Sequence, residues 1–141
     1  MEVLYTAEAL STGAGRNGHV RSSDGRIDLD LATPAVMGGS GEGSNPEQLF
    51  ASGYAACFHS ALQAVARSRK VAISDTAVGG RVGIGRDEDA EGFKLEVLLE
   101  VIIPGLPHDE AQELADAAHQ LCPYSKATRG NVEVTVRVIE G

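Results

Sequence analysis

From Gln48 to Ala66 the chain runs for nineteen residues without a formal charge, and no other stretch constrains its folding so strongly. Helix-start signals stand directly in front of it: Asn45 as cap, Pro46 in the first turn, and Gln48 three residues after the cap. Its length is about that of a membrane span, yet Gln48, Ser52, His59, Ser60 and Gln63 interrupt it, and many positions are small Ala or Gly. Apolar or small residues lie on nearly every face, including Leu49, Phe50, Tyr54, Cys57, Phe58, Ala61, Leu62 and Val65. Such a helix belongs inside a globular core, and no membrane association is expected.

The elements around this helix follow from shorter patterns. Glu2 to Ala7 alternates weakly as a strand, Gly13 to Gly18 and Ser23-Asp24-Gly25 are turns, and Ile27, Leu29 and Leu31 alternate with Asp28 and Asp30. Thr33 to Ser44 is a glycine-rich loop. Two strands, Val78 to Gly85 and Phe93 to Ile103, flank the acidic turn Asp87 to Gly92. A second helix starts near Asp109 and ends at Cys122, because Pro123 cannot continue it. Asn131 to Ile139 reads as the last strand. With no repeat or linker in this order, residues 1–141 are expected to form one α+β domain.

Charge excludes one large class of function. A net charge of −8, with twelve Lys and Arg that are mostly scattered, argues against nucleic acid as a partner. The one basic cluster, Arg67, Arg69 and Lys70, suits the negative pole of a helix end. Met1 to Tyr5 carries no secretion pattern, so a cytoplasmic location is expected. In that compartment two cysteines do not suggest a structural disulfide framework.

Cys57, inside the first helix, and Cys122, at the end of the second, admit three readings. Both can be small buried hydrophobes, a common state of free cysteine. Zinc is a second reading, with Cys57, His59, His119 and Cys122 as ligands. Positions i and i+2 of a helix project about 200° apart, which sets Cys57 and His59 against a shared metal. No metal is expected, and both histidines read as ordinary helix residues. Redox chemistry is the third reading.

Three segments favour the third. Asn45-Pro46-Glu47-Gln48-Leu49-Phe50-Ala51 followed by Gly53-Tyr54-Ala55-Ala56-Cys57-Phe58 is similar to the helix of the organic hydroperoxide resistance proteins, a branch of the OsmC-like superfamily of thiol peroxidases. Cys122-Pro123-Tyr124-Ser125, with Ala127 to Asn131 after it, resembles that family's second-cysteine segment. Gly15-Arg16-Asn17-Gly18 resembles its arginine-bearing turn. The segments stand in the family's order, and similarity extends over almost the whole chain.

The resemblance implies an OsmC-like fold, with antiparallel sheets wrapped around a buried central helix in an intertwined homodimer. It implies a peroxidase in which Cys57 attacks an organic hydroperoxide and Cys122 resolves the resulting sulfenic acid as a disulfide. Arg16, oriented by Glu47, is assigned to the thiolate. Glu47 also suits a first helical turn simply as a carboxylate. No bound cofactor is implied; electrons are expected from the dihydrolipoyl group of a lipoylated partner protein. The apolar residues Phe50, Tyr54 and Phe58 are candidates for substrate binding. A non-catalytic ligand-binding or interaction domain with inert cysteines is the alternative.

Elementary chemistry says why a cation is needed. The thiolate is the nucleophile, and burial in a helix raises a thiol's pKa. A unit charge about 4 Å away at an effective dielectric near 20 contributes up to roughly 4 kcal/mol, about three pKa units before desolvation. Glu47 and Cys57, ten residues apart, are separated on one straight helix by about 15 Å along the axis and roughly 80° around it. Arg16 therefore serves both only if the helix is bent or broken near Gly53, or if Arg16 and Glu47 serve the Cys57 of a second chain.

Overall fold

The computed structural model describes residues 1–141. In chain order its elements are β1 (Ala9–Thr12), β2 (His19–Ser22), β3 (Asp28–Asp30), α1 (Pro46–Ser68), β4 (Ala77–Arg86), β5 (Phe93–Ile102), α2 (His108–Leu121), α3 (Pro123–Thr128) and β6 (Glu133–Val138). Single 3-10 turns occupy Gly15–Asn17 and Ala35–Met37. Contacts divide the chain into two compact units, Met1–Leu49 and Phe50–Gly141.

The first unit is built on an antiparallel meander in the order β1-β2-β3. Its β1–β2 turn carries Arg16, and two glycines there take positive φ, +77° at Gly13 and +62° at Gly15. Gly18 closes the turn so tightly that a Cβ would lie 2.1 Å from the Thr12 carbonyl oxygen. The weak strand expected over Glu2 to Ala7 does not form. Pairing begins at Ala9 opposite Ser22, and a last backbone bond joins the Ser23 N–H to the Glu8 carbonyl at 2.9 Å. Beyond that point β2 has already turned toward β3, so the earlier residues meet no strand. Val3, Leu4 and Tyr5 stay exposed, as does Leu10 of β1.

At the end of this unit α1 begins as its sequence signals require. Asn45 Oδ1 accepts from the Gln48 N–H at 2.8 Å, and Gln48 Oε1 accepts from the Asn45 N–H at 3.2 Å. This reciprocal capping box satisfies two donors that a helix start otherwise leaves open.

In the second unit β4 and β5 pair antiparallel from Ala77–Ile102 to Arg86–Phe93, and β6 lies beside β5. The β5–β6 pair is parallel, which corrects the expectation of purely antiparallel sheets. Its connection explains the difference: α2 and α3 form a crossover that returns the chain to the starting end of β5. Alternation along β5 buries Val97, Leu99 and Val101, and Ile103 just beyond it, against Tyr54, Phe58, Leu62 and Val65 of α1 and Ala111, Leu114, Ala115 and Ala118 of α2.

The other side of α1 is open within one chain. Ser52, Ala56, Ser60, Gln63 and Arg67 form an exposed stripe, so within one chain the helix is covered on one side only. On the covered side α1 lies directly on β4: a Cβ at Gly80 would stand 2.8 Å from the Ala51 carbonyl oxygen and 3.4 Å from Ala55 Cβ. Gly80→Val must push helix backbone off the sheet, and overpacking of this kind costs about 2 kcal/mol. Denaturant melts should show that loss; a midpoint equal to the parent's would mean that the close approach is not maintained in solution.

Candidate active site

Arg16 and Glu47 meet in the first unit. Arg16 Nη1 donates to Glu47 Oε2 at 2.8 Å and Nη2 to Oε1 at 2.7 Å, the two parallel bonds of a planar fork on a carboxylate. The Arg16 side chain is 41% exposed and that of Glu47 13%. Each holds the other's charge. Arg16 bonding keeps the Glu47 carboxyl below the usual carboxylate range, and Glu47 bonding raises Arg16 further. The pair is placed by the tight β1–β2 turn on one side and by the capped first turn of α1 on the other.

Cys57 and Cys122 meet in the second unit. Both are free thiols, and the Cys122 S–H donates to the Cys57 sulfur across 3.6 Å. Cys57 is half-buried on α1, while Cys122 has no exposed surface. Cys122 sits between α2 and α3 with extended backbone, φ −60° and ψ 125°. Burial pushes the Cys57 thiol up, and Cys122 adds to the rise; the Tyr124 N–H, donating to the Cys57 sulfur, pulls the other way. The groups acting on Cys57 thus leave it a thiol at neutral pH.

A buried hydroxyl cluster lies beside the sulfurs. Tyr54 OH is 2.9 Å from Ser125 Oγ and 3.1 Å from Thr128 Oγ1, and His119 Nδ1 is 2.7 Å from Ser125 Oγ. Burial lowers the His119 pKa and the Arg129 charge lowers it further, so its ring is neutral at pH 7. His119 is therefore not the ordinary helix residue that its sequence context suggests. His59 instead bonds Thr76 Oγ1 at 2.7 Å. No group of three or more His, Cys, Asp and Glu side chains could hold a metal ion.

Of the three aromatic residues considered for substrate binding, Tyr54 and Phe58 have no exposed surface and serve as core side chains. Phe50 is only partly buried and packs edge-on to Tyr54, with ring centroids 6.1 Å apart. Sequence reasoning missed α3 and the hydroxyls of Ser125 and Thr128. Pro123 was the available signal, since proline suits the first turn of a new helix as well as the end of an old one.

The family profile described as OsmC-like protein matches residues 39–137, which includes α1 and both cysteines. The chain belongs to the OsmC-like family. Within it, the chain is 50% identical over 137 residues to the organic hydroperoxide resistance protein of Xanthomonas axonopodis pv. citri, covering 96% of this chain and 94% of that one. The crystal structure of an organic hydroperoxide resistance protein from Elizabethkingia anophelis superposes with a TM-score of 0.93 at 48% identity, covering both chains completely. That of the protein OhrB of Bacillus subtilis gives a TM-score of 0.88 at 47% identity, covering 97% of this chain and 100% of the other. This OsmC-like chain thus sits in the organic hydroperoxide resistance branch, and its mixed α+β architecture is that of the branch. No helix is long and apolar enough to cross a membrane.

Proposed function

We propose that the chain is a cysteine-based peroxidase that detoxifies organic hydroperoxides in the cytoplasm. Cys57 thiolate attacks the outer peroxide oxygen, an alcohol leaves, and Cys57 becomes a sulfenic acid. Cys122 then attacks that sulfur, water leaves, and a Cys57–Cys122 disulfide closes. A dihydrolipoyl dithiol on a partner protein restores both thiols by exchange. The observation that carries this reading is the 3.6 Å approach of two free thiols on different helices, in a chain about half identical to a protein named for organic hydroperoxide resistance.

Catalysis also requires a thiolate, and the second unit does not supply the charge for one. We assign that task to Arg16, held by Glu47 and acting on the partner's Cys57 in a homodimer. Two observations support a dimer. The α1 helix runs from Pro46 to Ser68 without a break at Gly53, and its exposed stripe of Ser52, Ala56, Ser60, Gln63 and Arg67 leaves one side open for a second copy. Apolar Val3, Leu4, Tyr5 and Leu10 also stand exposed on the first unit, a surface suited to burial against a second copy.

Substrate and reductant choice test this reading together. Apolar burial contributes about 25 cal/mol per Å², so an aryl or alkyl hydroperoxide gains binding that hydrogen peroxide cannot. Steady-state assays should show cumene hydroperoxide at least tenfold better in kcat/KM, with dihydrolipoamide supporting turnover that glutathione does not. Equal values for the two peroxides, or equal service by both reductants, would count against it.

A further inference from the structure

Cys122 is the corner between two helices, a single extended residue at which α2 ends and α3 begins. Its backbone N–H still donates to the Ala118 carbonyl at 2.8 Å, and its carbonyl accepts from the Lys126 N–H at 3.0 Å. Side-chain bonds placed symmetrically about it span the corner as well. His119, three residues before Cys122, and Ser125, three after, join across the corner at 2.7 Å. Arg129 Nη2 adds a second tie by donating to the His119 carbonyl at 2.7 Å. Ser125 Oγ then reaches Tyr54 OH, and Tyr54 lies three residues before Cys57 on the same face of α1. Thr128 Oγ1 completes the cluster by bonding Tyr54 OH at 3.1 Å and donating to the Ser125 carbonyl at 3.2 Å.

Four polar side chains are a demanding way to fill this space. Tyr54 and Ser125 have no exposed surface and Thr128 5%, yet no buried side-chain polar atom lacks a hydrogen-bond partner. Phe, Ala and Val would occupy similar volumes without desolvating hydroxyls. What apolar residues cannot do is fix an angle, because dispersion contacts are not directional.

We propose that Ser125, tied to His119, Tyr54 and Thr128, is a positioning residue for the resolving thiol, holding the α2–α3 corner so that Cys122 faces Cys57. The inference rests on the peroxidase reading above. Peroxide attack at Cys57 does not consume the Cys122 thiol, and it meets the corner only through the Tyr124 N–H. Disulfide closure consumes that thiol: the Cys57 S–O bond breaks, the S–S bond forms, and the Cys122 thiol proton leaves with the hydroxyl as water. A misplacement of about 1 Å slows such a step by up to roughly a hundredfold. When closure is slow, a second hydroperoxide oxidises the waiting sulfenic acid to a sulfinic acid and leaves as its alcohol.

Rapid-quench mass spectrometry after one equivalent of cumene hydroperoxide separates the two steps, with a sulfenic-acid trap reading the first. Ser125→Ala and Thr128→Val should form the sulfenic acid within twofold of the parent rate and close the disulfide at least tenfold more slowly. Excess hydroperoxide should then give more sulfinic acid. Thr128→Ser, which keeps the hydroxyl, should close near the parent rate, and thermal melts establish that each variant is folded. Parent-rate closure in both Ser125→Ala and Thr128→Val would overturn the positioning role. Equal slowing of both steps would overturn it too, because that is general structural loss. If the parent protein itself forms neither sulfenic acid nor disulfide, the peroxidase reading fails first and the positioning role with it.

Discussion

Cys57→Ser should abolish hydroperoxide turnover, whereas Cys122→Ser should consume about one equivalent per site and then stall. The asymmetry follows from the two environments. Cys57 is half-buried, while Cys122 has no exposed surface and its thiol donates to the Cys57 sulfur. Without Cys57 there is no accessible nucleophile. Without Cys122 the sulfenic acid should form and wait, because no thiol is left to displace its hydroxyl. Single-turnover assays with a sulfenic-acid trap distinguish the variants, and near-parental turnover by Cys57→Ser would reverse the assignment.

Arg16→Ala should slow Cys57 oxidation at neutral pH by about a hundredfold to a thousandfold. Burial and the neighbouring thiol raise the Cys57 pKa, and only the Tyr124 N–H opposes them. A cation about 4 Å away contributes up to roughly three pKa units in the thiolate's favour. The sign follows directly: with Arg16 the thiolate persists to lower pH, and without it oxidation recovers only as pH rises toward the elevated thiol pKa. Arg16→Lys should restore part of the rate, because an ammonium cannot grip Glu47 with two parallel bonds. Co-refolding Arg16→Ala chains with Cys57→Ser chains locates the pair. Sites shared between chains give each heterodimer one working site, and sites within a chain give none. A thiol titration with the same Cys57 pKa in parent and Arg16→Ala would remove Arg16 from the chemistry.

The sequence was most legible where local chemistry and tertiary packing agree. Asn45, Pro46 and Gln48 announced the start of α1, and the same residues form its capping box. Period-two alternation located β4 and β5, because one face of β5 packs on helices. Residues before Ala9 also alternate, but alternation cannot say whether a partner strand exists, and in this chain none pairs with them. Uniformly small or apolar residues along α1 hid which side is covered; only the sheet, touching it as closely as Gly80, decides that. Strand direction was hidden as well, since the parallel β5–β6 pair follows from the path of the crossover rather than from either strand.

Residues that carry a recognisable motif were legible in the candidate site, and bonds between residues distant in the chain were not. Cys57, Cys122, Arg16 and Glu47 stand in quotable segments, and the structure pairs them two by two. Tyr54 shows the difference. It was considered for its ring, yet its hydroxyl is bound to Ser125 and Thr128, residues more than seventy positions away. No local pattern reports a bond of that range.

The proposed function stands on Cys57 and Cys122 forming a redox pair driven by organic hydroperoxide. Intact mass of the reduced protein, recorded under denaturing, non-reducing conditions after one equivalent of cumene hydroperoxide, tests it most directly. The predicted product has lost two hydrogens and both free thiols, and dihydrolipoamide returns it to the starting mass. A protein that keeps its mass and both thiols while the hydroperoxide remains unconsumed would contradict the claim.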